Sequence, residues 1–455
     1  MVDRLPLKGG LEMKMSAYNF TFPYVEDDSK VVLYNTRTNA MALIDNDKFL
    51  KLKDFSLSNE MLSNDGDLIS NLKRGGFIID DNINEIHLLR YNLLNSRYDK
   101  RSLGLTIAPT ADCNFRCIYC FEIDKLKKME MSQDTQERLV EQVKSQASHI
   151  TKLSVNWFGG EPLLALDSVE FMTQQFKQIC IDKDIDYSAS MITNGYLFSP
   201  EVAKKLKSLD IKFVQITLDG TESIHNKRRF LEDGAPTFSQ IVDNLKQSAQ
   251  IFNGQISLRI NVDRENADDL DEIESMLVNT GLIYIDNVMP NLGYIDSLGG
   301  GCYSATQCLT RKEFVDIDYI FKKRLSKYKR NLMTMFYPTL RGTFCGADSC
   351  SSHVVGHDGG LYRCWADIGD DSKKVGSLVD ADVKNKALLL SYMMYDPTED
   401  ENCHYCKYLP ICMGGCPMHR LSEPDLRCVD MKYKLSEYMK LLPNMIKIEN
   451  EKNRN

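Results

Sequence analysis

The chain has 455 residues, 43% of them hydrophobic and 26% charged, with a formal net charge of −8. That length suits two or three domains, the composition is that of an ordinary globular protein, and the negative balance offers no general basic surface for nucleic acid. No apolar run approaches membrane-spanning length and Met1-Val2-Asp3-Arg4-Leu5 does not open an export signal, so the expectation is a cytoplasmic protein with no membrane partner.

Residues 1–100 read as a first unit. Tyr18–Phe22, Val31–Asn35 and Ala40–Ile44 alternate as short strands, with turn chemistry from Asn35 to Asn39. Asp45–Leu52, Ser58–Leu72 (with a break at Asp65-Gly66) and Asn84–Ser96 read as helices, and Gly75-Gly76 turns into a strand at Phe77–Ile79.

Residues 101–325 alternate strand and helix. Strands are expected at Leu103–Ala108, Leu153–Trp157, Tyr187–Ile192, Phe213–Leu218, Ile256–Val262 and Tyr284–Met289, with helices between them. Repeated βα units imply a parallel sheet, and in α/β barrels the chemistry gathers at the C-terminal strand ends. There the first strand is followed by Cys113-Asn114-Phe115-Arg116-Cys117-Ile118-Tyr119-Cys120. Three thiols can fill three corners of a [4Fe–4S] cube and leave one iron open, whereas common ferredoxin patterns supply four. A structural zinc site also wants four ligands, and no fourth Cys or His stands nearby. Gly159-Gly160-Glu161-Pro162 follows the second strand; its glycines permit close backbone approach to a ligand, and Glu161 can accept from an ammonium. Thr193-Asn194-Gly195 ends the third strand. Thr217-Leu218-Asp219-Gly220 ends the fourth, with His225 and Arg229 soon after. Arg259 and Asn261 share one side-chain parity on the fifth.

Fourteen cysteines without an export signal favour metal ligation over disulfides. Cys180 reads as a small core residue. Cys302, after three glycines, and Cys308 bracket a short loop and are either incidental or hydrogen-atom donors. Cys345, Cys350 and Cys364 come next, then Cys403, Cys406, Cys412, Cys416 and Cys428. Eight thiols suffice for two fully ligated [4Fe–4S] clusters, with two zinc ribbons as the other reading. Residues 429–449, with Leu435, Tyr438, Leu441 and Leu442 at helical spacing, read as a closing helix before a polar end.

The cysteine triad with Gly159–Pro162 resembles the radical S-adenosylmethionine (SAM) superfamily. The later cysteines resemble the SPASM extension of its peptide-modifying members, and residues 1–100 resemble their winged-helix-like peptide-recognition domain. The resemblance implies an α/β fold, a partial (β/α)6 TIM barrel at 101–325, between a leader-binding domain at 1–100 and an iron–sulfur domain at 326–455. It implies three [4Fe–4S] clusters: one on Cys113, Cys117 and Cys120 with SAM on the open iron, a nearer auxiliary cluster on Cys345, Cys350, Cys364 and Cys416, and a distal one on Cys403, Cys406, Cys412 and Cys428. Tyr119, Gly159, Gly160, Glu161, Asn194, Thr217 and Arg229 are the implied SAM contacts. The implied partners are a ribosomal precursor peptide and a flavodoxin- or ferredoxin-type electron donor.

The implied activity is oxidative modification of that peptide through a 5′-deoxyadenosyl radical, with thioether formation as the leading reaction. Carbon–carbon or carbon–oxygen crosslinking and epimerisation are alternatives, as is formylglycine formation by anaerobic sulfatase maturation. In the sulfatase-maturating family an Asp directly follows the cysteine matching Cys364; here Trp365 does, and the nearest following acid is Asp367. A plain electron carrier needs neither an open iron nor the Gly-Gly-Glu-Pro turn. If both auxiliary clusters are fully ligated, substrate sulfur must displace a ligand, and the small polar loop around Cys350 reads as the movable one.

Overall fold

The computed structural model describes residues 13–53, 66–295, 307–329, 337–379, 383–422 and 427–440. Cys302 and its preceding glycines, the expected helix before Gly66, and Leu441 and Leu442 lie outside the described residues. The expected division at 100 and 325 follows motifs; packing gathers the chain into two compact units. One combines residues up to Ser96 with Met333–Phe344 and the stretch from Tyr395; the other comprises Arg97–Leu332 and Cys345–Met394.

In the first unit β1 (Met13–Met15), β2 (Asn19–Pro23), β3 (Lys30–Asn35) and β4 (Ala40–Asp45) precede α1 (Asn46–Lys53), α2 (Gly66–Arg74), β5 (Ile78–Asp80) and α3 (Glu85–Tyr98). β2, β3 and β4 form an antiparallel sheet with β3 central, and β1 pairs with β5. Leu33, Ile44, Leu52, Leu72 and Phe77 close the core beneath the sheet. Tyr18 and Leu89 bury Leu409 from the C-terminal stretch, with Cys403 packed against them. Lys407 donates to the Asn19 carbonyl at 3.0 Å and its own carbonyl accepts from Thr36 at 2.5 Å. The C-terminal cysteine segment therefore depends on the N-terminal sheet for its footing.

The second unit is built on six parallel strands, β6 (Ser102–Ile107), β7 (Lys152–Trp157), β8 (Asp186–Thr193), β9 (Ile211–Thr217), β10 (Gln255–Val262) and β11 (Val288–Tyr294), neighbours in that order. Helices α4 (Gln133–Gln146), α5 (Leu166–Lys183), α6 (Pro200–Ser208), α7 (Glu222–Arg228), α8 (Phe238–Phe252) and α9 (Leu270–Asn279) fall between them, and α10 (Arg311–Leu325) follows. The sheet stays open. β11 is one edge, and beyond β6 come β12 (Ser352–Val355), parallel to β6, then antiparallel β13 (Gly360–Tyr362) and β14 (Gly376–Ser377). Cys180 is 4% exposed on α5, the core position its pattern predicts. Among the described residues no helix is long and apolar enough to cross a membrane.

The sixth strand lies later than Tyr284–Met289 predicts. Gly281, at φ +77°, opens a 3-10 turn over Leu282–Tyr284, and the strand runs through Pro290. A proline is tolerated because β11 is an edge strand.

One buried side chain organises the first unit. The Asn35 amide nitrogen donates to Ser16 Oγ, Asn19 Oδ1 and the Gly76 carbonyl at 2.8–3.0 Å, while its oxygen accepts from the Arg37 and Thr38 amides. Asn35→Leu strands several of these groups, each costing about 1–3 kcal/mol. The expected result is a lower urea midpoint for this unit by circular dichroism; an unchanged midpoint contradicts the assignment.

Candidate functional site

The expected site residues gather at the C-terminal ends of β6 to β10. The Cys113–Cys120 loop is tethered on two sides. On one, the Arg116 and Ile118 amides donate to the Phe230 and Arg228 carbonyls at 2.8 and 3.1 Å, and the Glu232 amide to the Asn114 carbonyl at 3.0 Å. On the other, the Gly159-Gly160 turn presses against the residues just before Cys113. A Cβ on Gly160 would lie 2.1 Å from the Asp112 carbonyl oxygen, which accepts from the Glu161 amide at 2.8 Å. Gly159 adopts φ +109°, open to glycine, with the Thr110 carbonyl 2.8 Å from its Cβ position. The glycines thus serve close approach, as expected, but the backbone they approach belongs to the cysteine loop.

Glu161 is fully buried. It accepts from Thr193 Oγ1 at 2.6 Å, from the Asn194 amide at 2.7 Å and from the Leu163 amide at 3.0 Å. Burial pushes its carboxyl up against these donors. Glu161 therefore cross-braces the ends of β7 and β8, and the Asn194 side chain reaches on to Asn114 Oδ1 at 2.8 Å.

Tyr119 turns into the sheet. Its hydroxyl donates to Asp219 and accepts from Arg229 Nη1 at 2.9 Å and Asn261 Nδ2 at 3.0 Å. Arg259 Nε holds the Asn261 oxygen at 2.7 Å, so the parity read on β10 brings both to the site. Arg229 also covers the Phe115 ring at 5.6 Å. Burial works against its charge, yet Cys117, Tyr119 and Asp219 hold the guanidinium well above its ordinary value. Thr217, buried at the end of β9, completes the set.

His225, Asp219 and Asn261 are structural members that motif reading did not assign. The Asp219 amide donates to His225 Nδ1 at 3.1 Å, so the imidazole carries its proton on Nε2 and gives it to Thr237 Oγ1 at 2.9 Å. Thr237 in turn donates to the Arg229 carbonyl at 2.6 Å. A neutral histidine thereby ties Asp219 to Arg229, and its six-residue distance from Asp219 was the only signal in the sequence.

The residues fit an iron–sulfur cluster and a polar cofactor. The three thiols share one loop and are each part-buried, and burial pushes Cys113, Cys117 and Cys120 up, Cys120 to about 12. Among the described residues no three His, Cys, Asp or Glu side chains converge on a single ion; the irons of a cube take their thiolates separately. Asp219 Oδ1 and Arg229 Nε, both buried, have no hydrogen-bond partner. Unmet buried polar atoms are rare in finished proteins, and these suit a polar, charged ligand.

The later cysteines occupy both units. Cys345, Cys350 and Cys364 belong to the larger, and Cys403, Cys406, Cys412, Cys416 and Cys428 to the smaller. Burial raises Cys403 to about 11, and Arg427 Nη2 and the Tyr395 hydroxyl lie 3.7 and 3.8 Å from its sulfur. Lys432 Nζ lies 3.4 Å from the Cys428 sulfur. Burial pushes the Cys412 thiol up as well. A cavity of about 350 Å³ lies beside Cys350, His353 and Arg363. Trp365–Asp367 is a 3-10 turn, and the Asp367 carboxyl is raised by burial.

Residues 107–277 match the radical SAM superfamily. The chain carries a radical SAM superfamily domain. That superfamily uses SAM and a [4Fe–4S] cluster. The chain is 23% identical over 349 residues to the cysteine-type anaerobic sulfatase-maturating enzyme of Clostridium novyi, covering 71% of this chain and 90% of that one. Its fold resembles native anSMEcpe with bound AdoMet and Kp18Cys peptide (TM-score 0.56, 22% identity, 77% of this chain and 99% of the other). It also resembles Streptococcus suis SuiB bound to precursor peptide SuiA (TM-score 0.50, 14% identity, 92% and 99%).

The neutral, buried His225 carries a pH signature. Burial, then the Arg229 charge, hold it well below the ordinary 6.5. As pH falls below about 6.5 the unfolded chain gains a proton that the folded one refuses, so stability drops by up to about 1.4 kcal/mol per pH unit. Replacing His225 with Asn should flatten that part of the acid limb in urea titrations between pH 5 and 7, in roughly that window. An identical slope in wild type and H225N rules out the neutral imidazole.

Proposed function

We propose that this radical SAM enzyme modifies a ribosomally made precursor peptide, with thioether formation as its leading reaction. The observation that carries the reading is the extent of the SuiB-like fold. It spans 92% of the chain, a share unreachable without residues of the first hundred, whereas the anSMEcpe likeness spans 77%. The first hundred residues contain a three-stranded sheet in which β4 has β3 on one side only. An open edge of this kind can accept a peptide as a further strand, and Leu43 on β4 is 44% exposed beside it.

In this reading Cys113, Cys117 and Cys120 hold the SAM cluster. Tyr119, Gly159, Gly160, Asn194, Thr217 and Arg229 shape the SAM pocket, with Glu161 bracing it. The cluster that the three cysteines would hold, supplied with an electron by a flavodoxin- or ferredoxin-type donor, would provide reductive cleavage of SAM, and the pocket residues would keep SAM oriented toward the peptide. Cys345, Cys350, Cys364 and Cys416 hold one auxiliary cluster, and Cys403, Cys406, Cys412 and Cys428 the other. The chain's own contribution is the buried polar set around Tyr119 and a fixed cation in Arg229.

A second reading, formylglycine formation, is favoured by the likeness to the Clostridium novyi enzyme. Against it, Trp365 stands directly after Cys364, and the nearest following acid is Asp367.

Replacing Cys113, Cys117 and Cys120 together with Ala should lower iron from about twelve to about eight per chain, at four per cube, and abolish 5′-deoxyadenosine formation. Unchanged iron, or surviving SAM cleavage, refutes the ligand assignment. For the leader, a deletion of residues 1–100 would also strip Leu409 and Lys407 of their packing, so a point change is the cleaner probe. Leu43→Glu should weaken binding of a fluorescent precursor leader about tenfold, near 1.4 kcal/mol, with uncoupled SAM cleavage intact. Undiminished leader affinity would remove β4 as the docking edge.

A further inference from the structure

Arg363 follows β13 and directly precedes Cys364; it is 5% exposed. Its guanidinium donates to the carbonyls of one short loop. Nε reaches Ala347 at 3.1 Å, and Nη2 reaches Gly346, Ala347 and Ser349 at 2.9, 2.7 and 2.5 Å. Nη1 takes the Ser352 carbonyl at 2.8 Å. The one loop carbonyl in this run that Arg363 leaves, Asp348, accepts from Arg97 Nε at 3.2 Å, and the Arg97 carbonyl accepts from the Cys350 amide at 2.8 Å. Gly346 leaves no slack, since a Cβ there would meet Ser352 Cβ at 2.9 Å. The stretch from Cys345 to Cys350, which its small polar residues mark as movable, is thus clamped around a buried cation.

An arginine is an uncommon residue to bury, and in proteins its guanidinium does not give up its charge. Its planar fork of five donors can satisfy several carbonyls at once, which a lysine ammonium cannot match. The guanidinium lines the same cavity as Cys350 and adjoins Cys364 in sequence; the buried Asp348 is its strongest counter-charge, followed by Cys345 and Cys350. A [4Fe–4S] cube with four thiolates becomes more negative on reduction. A fixed positive charge nearby therefore favours the reduced state and raises the potential.

We propose that Arg363 is the positioning residue of the nearer auxiliary cluster: it sets the Cys345–Cys350 loop in ligand geometry and places a permanent positive charge beside the cluster that Cys345, Cys350 and Cys364 help to hold. This rests on the auxiliary-cluster reading above. It also removes Cys350 as the easily displaced ligand, because the loop that would have to move is pinned at each carbonyl from Gly346 to Ser349.

The test uses the full chain with Cys113, Cys117 and Cys120 replaced by Ala, so that only auxiliary clusters report. Iron content, the rate of iron loss to a chelator and the reduction midpoint are measured for this parent and for its Arg363→Met, Arg363→Gln and Arg363→Lys forms, with circular dichroism as a check on folding. The parent should hold about eight irons and R363M about four. R363K, which keeps the charge but not the fork, should keep the midpoint and lose iron to chelator at least tenfold faster; in R363Q any retained cluster should show a more negative midpoint. If R363M does not fold, R363K and R363Q decide. Parent-like iron retention and midpoints in the folded variants overturn the proposal, since a merely structural arginine would alter only the melting temperature. A parent that holds only about four irons overturns the auxiliary-cluster reading instead, and the proposal with it.

Discussion

The site depends on how closely two backbones can approach. Gly160 brings the β7 turn against Asp112, at a distance where any Cβ would lie 2.1 Å from a carbonyl oxygen. That contact sets where the cysteine loop begins. It also places the Glu161 amide on the Asp112 carbonyl and the Glu161 carboxylate on Thr193 and Asn194. One missing methyl thus registers three strand ends against the loop. A larger residue would have to move backbone, because the atom it would meet is the Asp112 carbonyl.

Charge follows from the same enclosure. Arg229, Asp219, Glu161 and the three thiols share a region with little water to screen them. Arg229 stays charged because Cys117, Tyr119 and Asp219 all favour its cationic form. Asp219 and Glu161 are both pushed toward protonation by burial, and the donors around them push back. Tyr119 is the common member: it sits between the second and third cysteines, and its hydroxyl joins α7's flank, β9 and β10. A phenylalanine there would pack as well but would leave Arg229, Asn261 and Asp219 without their shared partner.

Much of this was legible in the sequence because its strands are long apolar runs ending in short polar motifs. The first five parallel strands fall where the pattern puts them, and so do the cysteine triad and the turns that face it. The sixth is displaced because Pro290 and Gly293 depress the strand signal, and edge placement is a tertiary property. β12, β13 and β14 were not legible: two to four residues carry no periodicity, and they exist because β6 offers a free edge. The partnership of residues 395–422 with the N-terminal sheet rests on Leu409 and Lys407, which look unremarkable in a cysteine-rich stretch. The clamp at Arg363 was hidden for a similar reason. A loop of Gly, Ala, Asp and Ser reads as mobile until the donors to its carbonyls are known.

Trp365 follows Cys364 directly, and its surroundings show what the indole does. It stacks on Phe158 at 5.4 Å, and Phe158 stacks on Phe121 at 6.3 Å with planes 8° apart. Each ring is anchored beside a residue of consequence: Phe121 follows Cys120, Phe158 precedes Gly159, and Trp365 follows Cys364. Lys125 adds a hydrogen bond to the Ala366 carbonyl at 2.9 Å. The stack therefore ties the Cys113–Cys120 loop, the glycine turn and the Cys364 turn together through packed rings. An aspartate at 365 could contribute a proton acceptor but no such stacking. Trp365 keeps 45% of its surface exposed, so the same ring that braces the loops also presents an apolar face outward. At position 365 the chain therefore has a packing element, an indole, and not a carboxylate.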